Sequence, residues 1–324
     1  MESKAKISAI GVYVPDNILT NFYFEKILDT TDEWIYTRTG IKERRFAGED
    51  EFTSDLAIKA VENLIKKQSI IVNDVDMIIV STFTPDHMIP NVASLVQGHF
   101  KIENCATIDL SAACTGFTYA LSIANSLITV GQNKKILVIA SEAVSKILDL
   151  TDRNTCVIFG DGAAAVLVER NSTKAGFIDA YFDTDGTQAD KIHVTNLSQK
   201  VLNKHIEKKS KFEQDGKAVY RFATREIAKG VMKLIKKANM TLNNIDWFIP
   251  HSANKRIIEE ICTQIDFPIE RTLSSIEKFG NTSSASIPIA LWLALENNKI
   301  KKGDILLLYG FGGGLTHGGI IIRW

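Results

Sequence analysis

The sequence predicts an α/β fold assembled from two similar halves, and three observations carry that expectation. First, apolar β-rich runs alternate with amphipathic helical stretches along the chain, the pattern of sheets covered by helices. Second, the pattern occurs twice. Setting Leu64-Ile65-Lys66-Lys67 on Leu234-Ile235-Lys236-Lys237 brings Asn73 onto Asn243, Asp76 onto Asp246 and Ile79 onto Ile249. The strand near Leu137 then falls on that near Leu307. Such a repeat is a clue at the level of the fold, and the expected halves are 1–169 and 170–324. Third, Cys114 falls at the same offset on Ser284, beside Asn281. Equivalent halves bring the ends of equivalent elements near a shared pseudo-twofold axis. A site between the halves, at Cys114, His251 and Asn281, follows.

The bulk properties narrow the class. The chain has 324 residues, 45% apolar and 23% charged, which suits a globular protein with a large core. Lys+Arg and Asp+Glu both total 38, so no net charge favours a nucleic acid or a membrane surface. Met1 to Lys4 shows no signal-peptide pattern, and no apolar run reads as long enough to span a bilayer. Cys105, Cys114, Cys156 and Cys262 lack C-x-x-C or zinc spacing. They read as thiols of a reducing compartment, so a cytoplasmic protein with no metal site is expected.

In order along the chain, Lys6 to Val14 reads as a strand closed by Pro15-Asp16, and Asn21 to Leu28 as a short helix. Thr31 or Asp32 caps a helix carrying Trp34 and Arg38. These two lie one turn apart and share a face, which suits stacking on a nucleobase and neutralising phosphate. On spacing alone, a half-buried Trp with a solvated Arg accounts for them better. Asp55 to Lys67 is amphipathic, Asp76 to Thr82 is a strand, and Val92 to Phe100 is a helix after the loop Pro85 to Pro90. Lys135 to Ala140 is a strand. Phe159-Gly160-Asp161-Gly162-Ala163-Ala164-Ala165 matches a loose dinucleotide pattern but runs into a strand rather than a helix. Its glycines read as letting two backbones approach. The polar stretch from Asp183 to Lys217 reads as a mobile excursion, either a flap or a plain loop. Arg225 to Ala238 is a helix, Ile245 to Pro250 a strand ending at His251, and a further helix runs through Ile265. Gly280 to Ser286 is a small polar turn before an apolar helix, Ile287 to Leu295. The chain closes strand, glycine turn, strand, and Gly310 to Gly314 lacks the Gly-Lys-Ser/Thr of a phosphate loop.

The stretch Asn104 to Thr129 holds the candidate nucleophile. Ala106 to Leu110 reads as a short buried strand, and Phe117 to Ile128 as a helix apolar on nearly every side. Cys114 sits between them at a tight turn near a helix N-terminus, where unsatisfied N–H groups and the dipole favour a thiolate. A small packed core cysteine explains this stretch as well as a nucleophile does.

Six stretches in order then resemble the β-ketoacyl-acyl-carrier-protein synthase III family over nearly the whole chain. They are Thr31 to Ile41, Asp109 to Phe117, Thr151 to Arg153 with Phe159 to Ala163, His251 to Arg256, Gly280 to Ser283 and Gly310 to Gly314. The resemblance implies a thiolase-like, five-layered αβαβα sandwich, usually a homodimer. It implies Cys114 as nucleophile with His251 and Asn281 as partners, and the N–H groups of Cys114 and Gly313 as the oxyanion hole. Trp34, Arg38 and Arg153 fall on positions that hold the adenine and phosphate end of coenzyme A. Thr30, Gly216 and Asn254 fall on the pantetheine channel, and Arg256 on a carrier-protein docking position. The implied reaction loads an acyl group from acyl-CoA onto Cys114 and condenses it with malonyl-acyl carrier protein, with loss of CO₂. Coenzyme A enters as the substrate's thioester, and no metal or redox cofactor is required.

Several residues depart from the family pattern. Ile89 stands where several members carry Phe, at a position reaching the neighbouring subunit's acyl pocket, which leaves room for a longer or branched primer. His317 replaces a common Trp, and Ser252 and Lys255 replace Gln and Leu. These changes bear on substrate choice more than on reaction type. Two alternatives remain at this point: a paralogue serving another acceptor in secondary metabolism, and a partner subunit without chemistry. Retention of Cys114, His251 and Asn281 argues against the second.

Overall fold

The computed structural model describes residues 2–171, 176–207 and 210–324. In chain order its principal elements are β1 (Ala5–Tyr13), α1 (Asp32–Thr39), α2 (Thr53–Gln68), β2 (Met77–Ser81), α3 (Val92–Phe100), β3 (Ala106–Leu110), α4 (Gly116–Val130), β4 (Lys135–Glu142) and β5 (Gly162–Arg170). There follow β6 (Phe177–Thr184), α5 (Gly216–Phe222), α6 (Ala228–Lys237), β7 (Trp247–Pro250), α7 (Lys255–Ile265), α8 (Ser286–Glu296), β8 (Ile305–Gly312) and β9 (Thr316–Arg323).

The two main sheets have strand orders β1-β5-β4-β2-β3 and β7-β8-β9-β6. β2 runs parallel to both β3 and β4, and β7 runs parallel to β8, while the remaining pairs are antiparallel. Side chains alternate across each strand. Ile136, Val138 and Ala140 of β4 therefore join the core between the sheets, while Leu137 and Ile139 face α2 and α3. In β8, Leu306 and Leu308 face the central layer, while Leu307, Tyr309 and Phe311 face α6 and α7. Helices α4 and α8 lie between the two sheets. The result is the expected α/β sandwich of five layers, αβαβα, with central strands apolar on both faces. Full burial of one side chain such as Phe117 contributes about 2–3 kcal/mol.

The offset read from the sequence recurs in the elements: α4 matches α8, and β4 matches β8 residue for residue at both ends. The match fails at β3. Its counterpart is a single bridge between Phe248 and Thr272.

Four expectations need correction. β3 is an edge strand with one open side, and Ile108 is 46% exposed rather than buried. Helix α4 is buried on one face only, with Ile123 and Val130 exposed. By length and composition the segment Ala113–Val130 does qualify to cross a membrane, but half of it is buried in the core between the sheets. The stretch from Asp183 to Lys217 is also more ordered than it reads. It holds a 3-10 helix, Gly186–Lys191, and the paired strands Ile192–Val194 and Phe212–Gln214. Phe212 packs edge-to-face on Phe159, with ring centroids 4.7 Å apart. Residues 208–209 of this stretch lie outside the described residues.

Candidate active site

After β3 the chain makes one 3-10 turn, Ala113–Thr115, and α4 begins at Gly116. Ala113 adopts φ +45° to make this bend. The turn is pressed against the end of β8. A Cβ at Gly310 would lie 2.7 Å from Thr115 Cα, and one at Gly312 would lie 3.0 Å from Cys114 Sγ. The glycines there create room for the turn at Cys114. Gly160 serves the same purpose below Asn281, where a Cβ would lie 2.3 Å from the Phe279 carbonyl oxygen. This bears out the reading of the Gly-Asp-Gly stretch as a close backbone approach.

Cys114 opens on a cavity yet is otherwise enclosed by protein. Burial pushes its thiol up to about 12; the Ser283 hydroxyl, 3.4 Å from the sulfur, opposes the shift and the charge of Glu142 adds to it. The helix N-terminus does not reverse this. A dipole contributes about 0.3–1 kcal/mol, whereas desolvation moves buried groups by as much as 3–5 pKa units. His251 follows β7 and is 1% exposed. Its Nδ1 lies 2.7 Å from Ser286 Oγ, and its ring meets Phe311 edge-to-face at 5.2 Å. Burial lowers its pKa to about 3, so the imidazole is neutral. Asn281 is held by backbone pairing with Ile158 and Gly160. Its Oδ1 accepts the Ser283 N–H at 2.9 Å, and its Nδ2 has no partner among the described residues. The Gly313 N–H likewise has none.

These groups line one cavity of about 950 Å³. Cys114, His251, Asn281 and Gly313 all contribute to its wall. At its exposed end Trp34 is flanked by two guanidinium groups, Arg38 at 4.7 Å and Arg153 at 5.2 Å from the ring centroid. Arg153 also donates to the Asp29 carbonyl. Thr31 caps α1 by accepting the Trp34 N–H, which fixes the helix presenting this group.

Gly216 and Asn254 also line the cavity. The Asn254 amide is already engaged: Oδ1 caps α7 at the Arg256 N–H, and Nδ2 donates to the Arg38 carbonyl, both at 2.8 Å. Thr30 does not join the lining, and its Oγ1 is buried without a partner among the described residues. Ile89 is 87% exposed and stands apart from this chain's own cavity. Arg256 is exposed on α7. His317 is behind the wall, buried, with Nδ1 2.8 Å from the Tyr309 hydroxyl.

Sequence reasoning passed over Ser283, Ser286 and Glu142. Glu142 was the readable one, a lone acid closing the apolar run Ile136 to Ala140. It is fully buried and accepts hydroxyls from Thr82, Thr84, Ser283 and Ser284. Among the described residues no cluster of His, Cys, Asp and Glu could hold a metal ion.

Comparison with known proteins agrees with this geometry. Residues 108–186 match the family model for 3-oxoacyl-[acyl-carrier-protein] synthase III, and residues 235–324 match the model for its C-terminal part. The chain is 52% identical over 324 residues to β-ketoacyl-[acyl-carrier-protein] synthase III 2 of Bacillus anthracis, covering 100% of this chain and 99% of that protein. It is 51% identical over 322 residues to the protein of the same name in Halalkalibacterium halodurans, covering 99% and 97%. The crystal structure of the Thermus thermophilus β-ketoacyl-[acyl-carrier-protein] synthase III superposes with a TM-score of 0.95 at 41% identity, covering 98% of this chain and 99% of that one. With the paired sheets, the glycine-lined turn at Cys114 and the cavity beside it, these likenesses establish that the chain belongs to the β-ketoacyl-acyl-carrier-protein synthase III family, the thiolase-fold condensing acyltransferases of fatty-acid synthesis.

Proposed function

We propose that the chain, working as two halves of 1–169 and 170–324, loads an acyl-CoA primer onto Cys114 and condenses it with malonyl-acyl carrier protein. One observation carries the reading. A thiol, a neutral imidazole and an unpartnered amide N–H₂ converge at the buried end of a cavity whose exposed end is a Trp between two Arg. Trp34, Arg38 and Arg153 suit the adenine and phosphates of coenzyme A. Gly216 and Asn254 border the path of the pantetheine arm. Cys114 attacks the thioester carbonyl, whose oxyanion takes the N–H groups of Cys114 and Gly313, and coenzyme A departs. Loss of CO₂ from the malonyl group then generates the carbanion, so no redox cofactor is needed. His251 and Asn281 each donate one N–H to the enolate oxygen. The carbanion attacks acyl-Cys114 and the 3-oxoacyl product leaves on its carrier.

The open edge of β3, together with exposed Ile108, Met88 and Ile89, supports a homodimer formed along that edge. In that assembly Ile89 reaches the partner's acyl pocket, and its small size favours primers longer or more branched than acetyl. Arg256 supplies a cation for an acidic carrier protein. The protein works in the cytoplasm.

Intact mass after incubation with a panel of acyl-CoAs tests the reading, with Cys114→Ala as control. A single acyl adduct is expected in the wild type and none in the variant. Malonyl-carrier protein should discharge the adduct as a 3-oxoacyl product. Uptake of acetyl alone would defeat the primer assignment, and uptake without discharge would favour a different acceptor.

A further inference from the structure

Among the buried ionisable side chains that the reaction as described leaves unused, Glu142 is the one joined to Cys114 through a single hydroxyl. Glu142 ends β4 inside the protein. Its Oε2 accepts the Phe83 N–H and the hydroxyls of Thr82 and Thr84, at 3.2, 3.2 and 2.9 Å. Its Oε1 faces the serine pair, Ser284 Oγ at 2.9 Å and Ser283 Oγ at 3.2 Å. Ser283 Oγ also lies 3.4 Å from Cys114 Sγ. One hydroxyl therefore stands between the thiol and the carboxyl, and it owns a single proton. If Ser283 donates to a carboxylate, it accepts from the thiol. If it donates to a thiolate, it accepts from a carboxylic acid. The two arrangements differ only by moving two protons along one short chain.

Resting on the reading of Cys114 as nucleophile, we infer that Glu142 is its general base, acting through the Ser283 hydroxyl, and that it stores the thiol proton while the acyl group is bound. During loading the Cys114 S–H bond breaks as the S–C bond to the acyl carbonyl forms. The thiol proton passes to Ser283 Oγ, and the Ser283 proton passes to Glu142 Oε1. Coenzyme A leaves as a thiolate and takes its proton from the buffer at the exposed end of the cavity. After condensation the S–C bond breaks, and the departing Cys114 thiolate recovers a proton from Glu142 through Ser283. Protons and charge balance over the cycle. Glu142 touches no substrate; it sets the protonation state of the residue that does.

The surroundings support this. Burial raises the carboxyl to about 7, the range in which a general base works best at neutral pH. The groups facing it come from three places: Thr82, Phe83 and Thr84 after β2, Ser283 and Ser284 before α8, and through Ser283 the Cys114 turn before α4. Of these only Cys114 titrates, and no lysine, arginine or histidine among the described residues pairs with Glu142.

The test is the pH dependence of Cys114 alkylation by iodoacetamide, read by peptide mass, in the wild type and in Glu142→Gln, Ser283→Gly and Glu142→Asp. Glycine is chosen at 283 because φ there is +50°. In the wild type the rate should rise to an inflection near pH 7 and then level off. Glu142→Gln and Ser283→Gly should lose the inflection, climb with hydroxide, and react on the order of 10²-fold more slowly at pH 7.5. Glu142→Asp should restore an inflection. The opposite result overturns the inference: if the Glu142 charge merely burdens the thiol, Glu142→Gln alkylates as fast as the wild type or faster at neutral pH. A retained inflection in Ser283→Gly also overturns it, and that variant decides the matter should Glu142→Gln not fold. Alkylation needs no acyl-CoA. A wild type with the inflection but no acyl uptake would therefore sink the proposed function alone, and acyl uptake without the inflection would sink this inference alone.

Discussion

The two halves of the molecule make the same crossed contact with different residues. Each central strand ends against the turn that belongs to the other half. β8 ends at Gly312, whose missing side chain leaves room for Cys114 in the first half. β4 ends at the matching position with Glu142, whose side chain fills the space and bonds Ser283 and Ser284 in the second half. The turns themselves are alike. Ala113 and Ser283 occupy equivalent places and both adopt positive φ, +45° and +50°. One geometry thus serves once as an opening and once as a plug. The residue at the strand end decides which turn opens on the cavity.

The buried ionisable groups of the two halves offer the sharpest way to break this comparison. Glu142 is raised from 4.5 to about 7, so between those values the folded chain binds more protons than the unfolded one. Its contribution to stability is fully present below pH 4.5 and is lost as pH rises through 7. His251 is lowered from 6.5 to about 3, so its contribution is present above pH 6.5 and is lost as pH falls towards 3. Each amounts to roughly 3–5 kcal/mol at about 1.4 kcal/mol per unit. Urea midpoints measured against pH should show the wild type losing ground to Glu142→Gln as pH rises from 4.5 to 7. The wild type should gain on His251→Asn as pH rises from 3 to 6.5. Slopes of the same sign in both comparisons would refute the assignment.

Asn281 and Ser111 are equivalent in the two halves, and both line the cavity. Asn281→Ala should leave acyl uptake intact while condensation falls about 10²–10³-fold, the usual loss of one preorganised donor. Ser111→Ala should change either step by less than about 3-fold, because its side chain is exposed and removing an exposed hydroxyl costs little. Stalled acyl-enzyme, seen by mass in the first variant only, checks this. Gly312→Ala places a methyl 2.9 Å from Cys114 Cβ and 3.0 Å from Sγ. Acylation should drop about 10²-fold, as expected for a nucleophile moved by a fraction of its reach. The helix caps carry a modest effect on stability. Asn91 caps α3 and Asn254 caps α7. Replacing either with Ala should cost about 1 kcal/mol by thermal melting. Only Asn254→Ala should also raise KM for acyl-CoA, because its Nδ2 ties the Arg38 carbonyl to the cavity wall.

The repeat, the turn at Cys114 and the Trp34–Arg38 face were legible because each rests on short-range pattern or on a matched order of elements. What escaped depends on partners distant in the chain. The apolar alternation of Ala106 to Leu110 cannot say whether a strand has one neighbour or two, so an edge strand read as a buried one. The paired strands Ile192–Val194 and Phe212–Gln214 are three residues each, too short for periodicity to register. The thiol of Cys114 was expected to be lowered by its helix, because the helix is local. The burial that overrides it comes from β8 and the Ser283 turn. Glu142 gained a meaning only when Thr82, Thr84, Ser283 and Ser284 closed around it.

The crossed contact at Gly312 also bears on how this chain can change over generations. A substitution there is felt first by Cys114, far away in sequence, and one at Glu142 by Ser284. Mutations in the two halves are therefore epistatic at their most sensitive points. A new side chain at either strand end is tolerated only alongside a matching change in the opposite turn, so the two copies of the repeat are held to diverge as a pair.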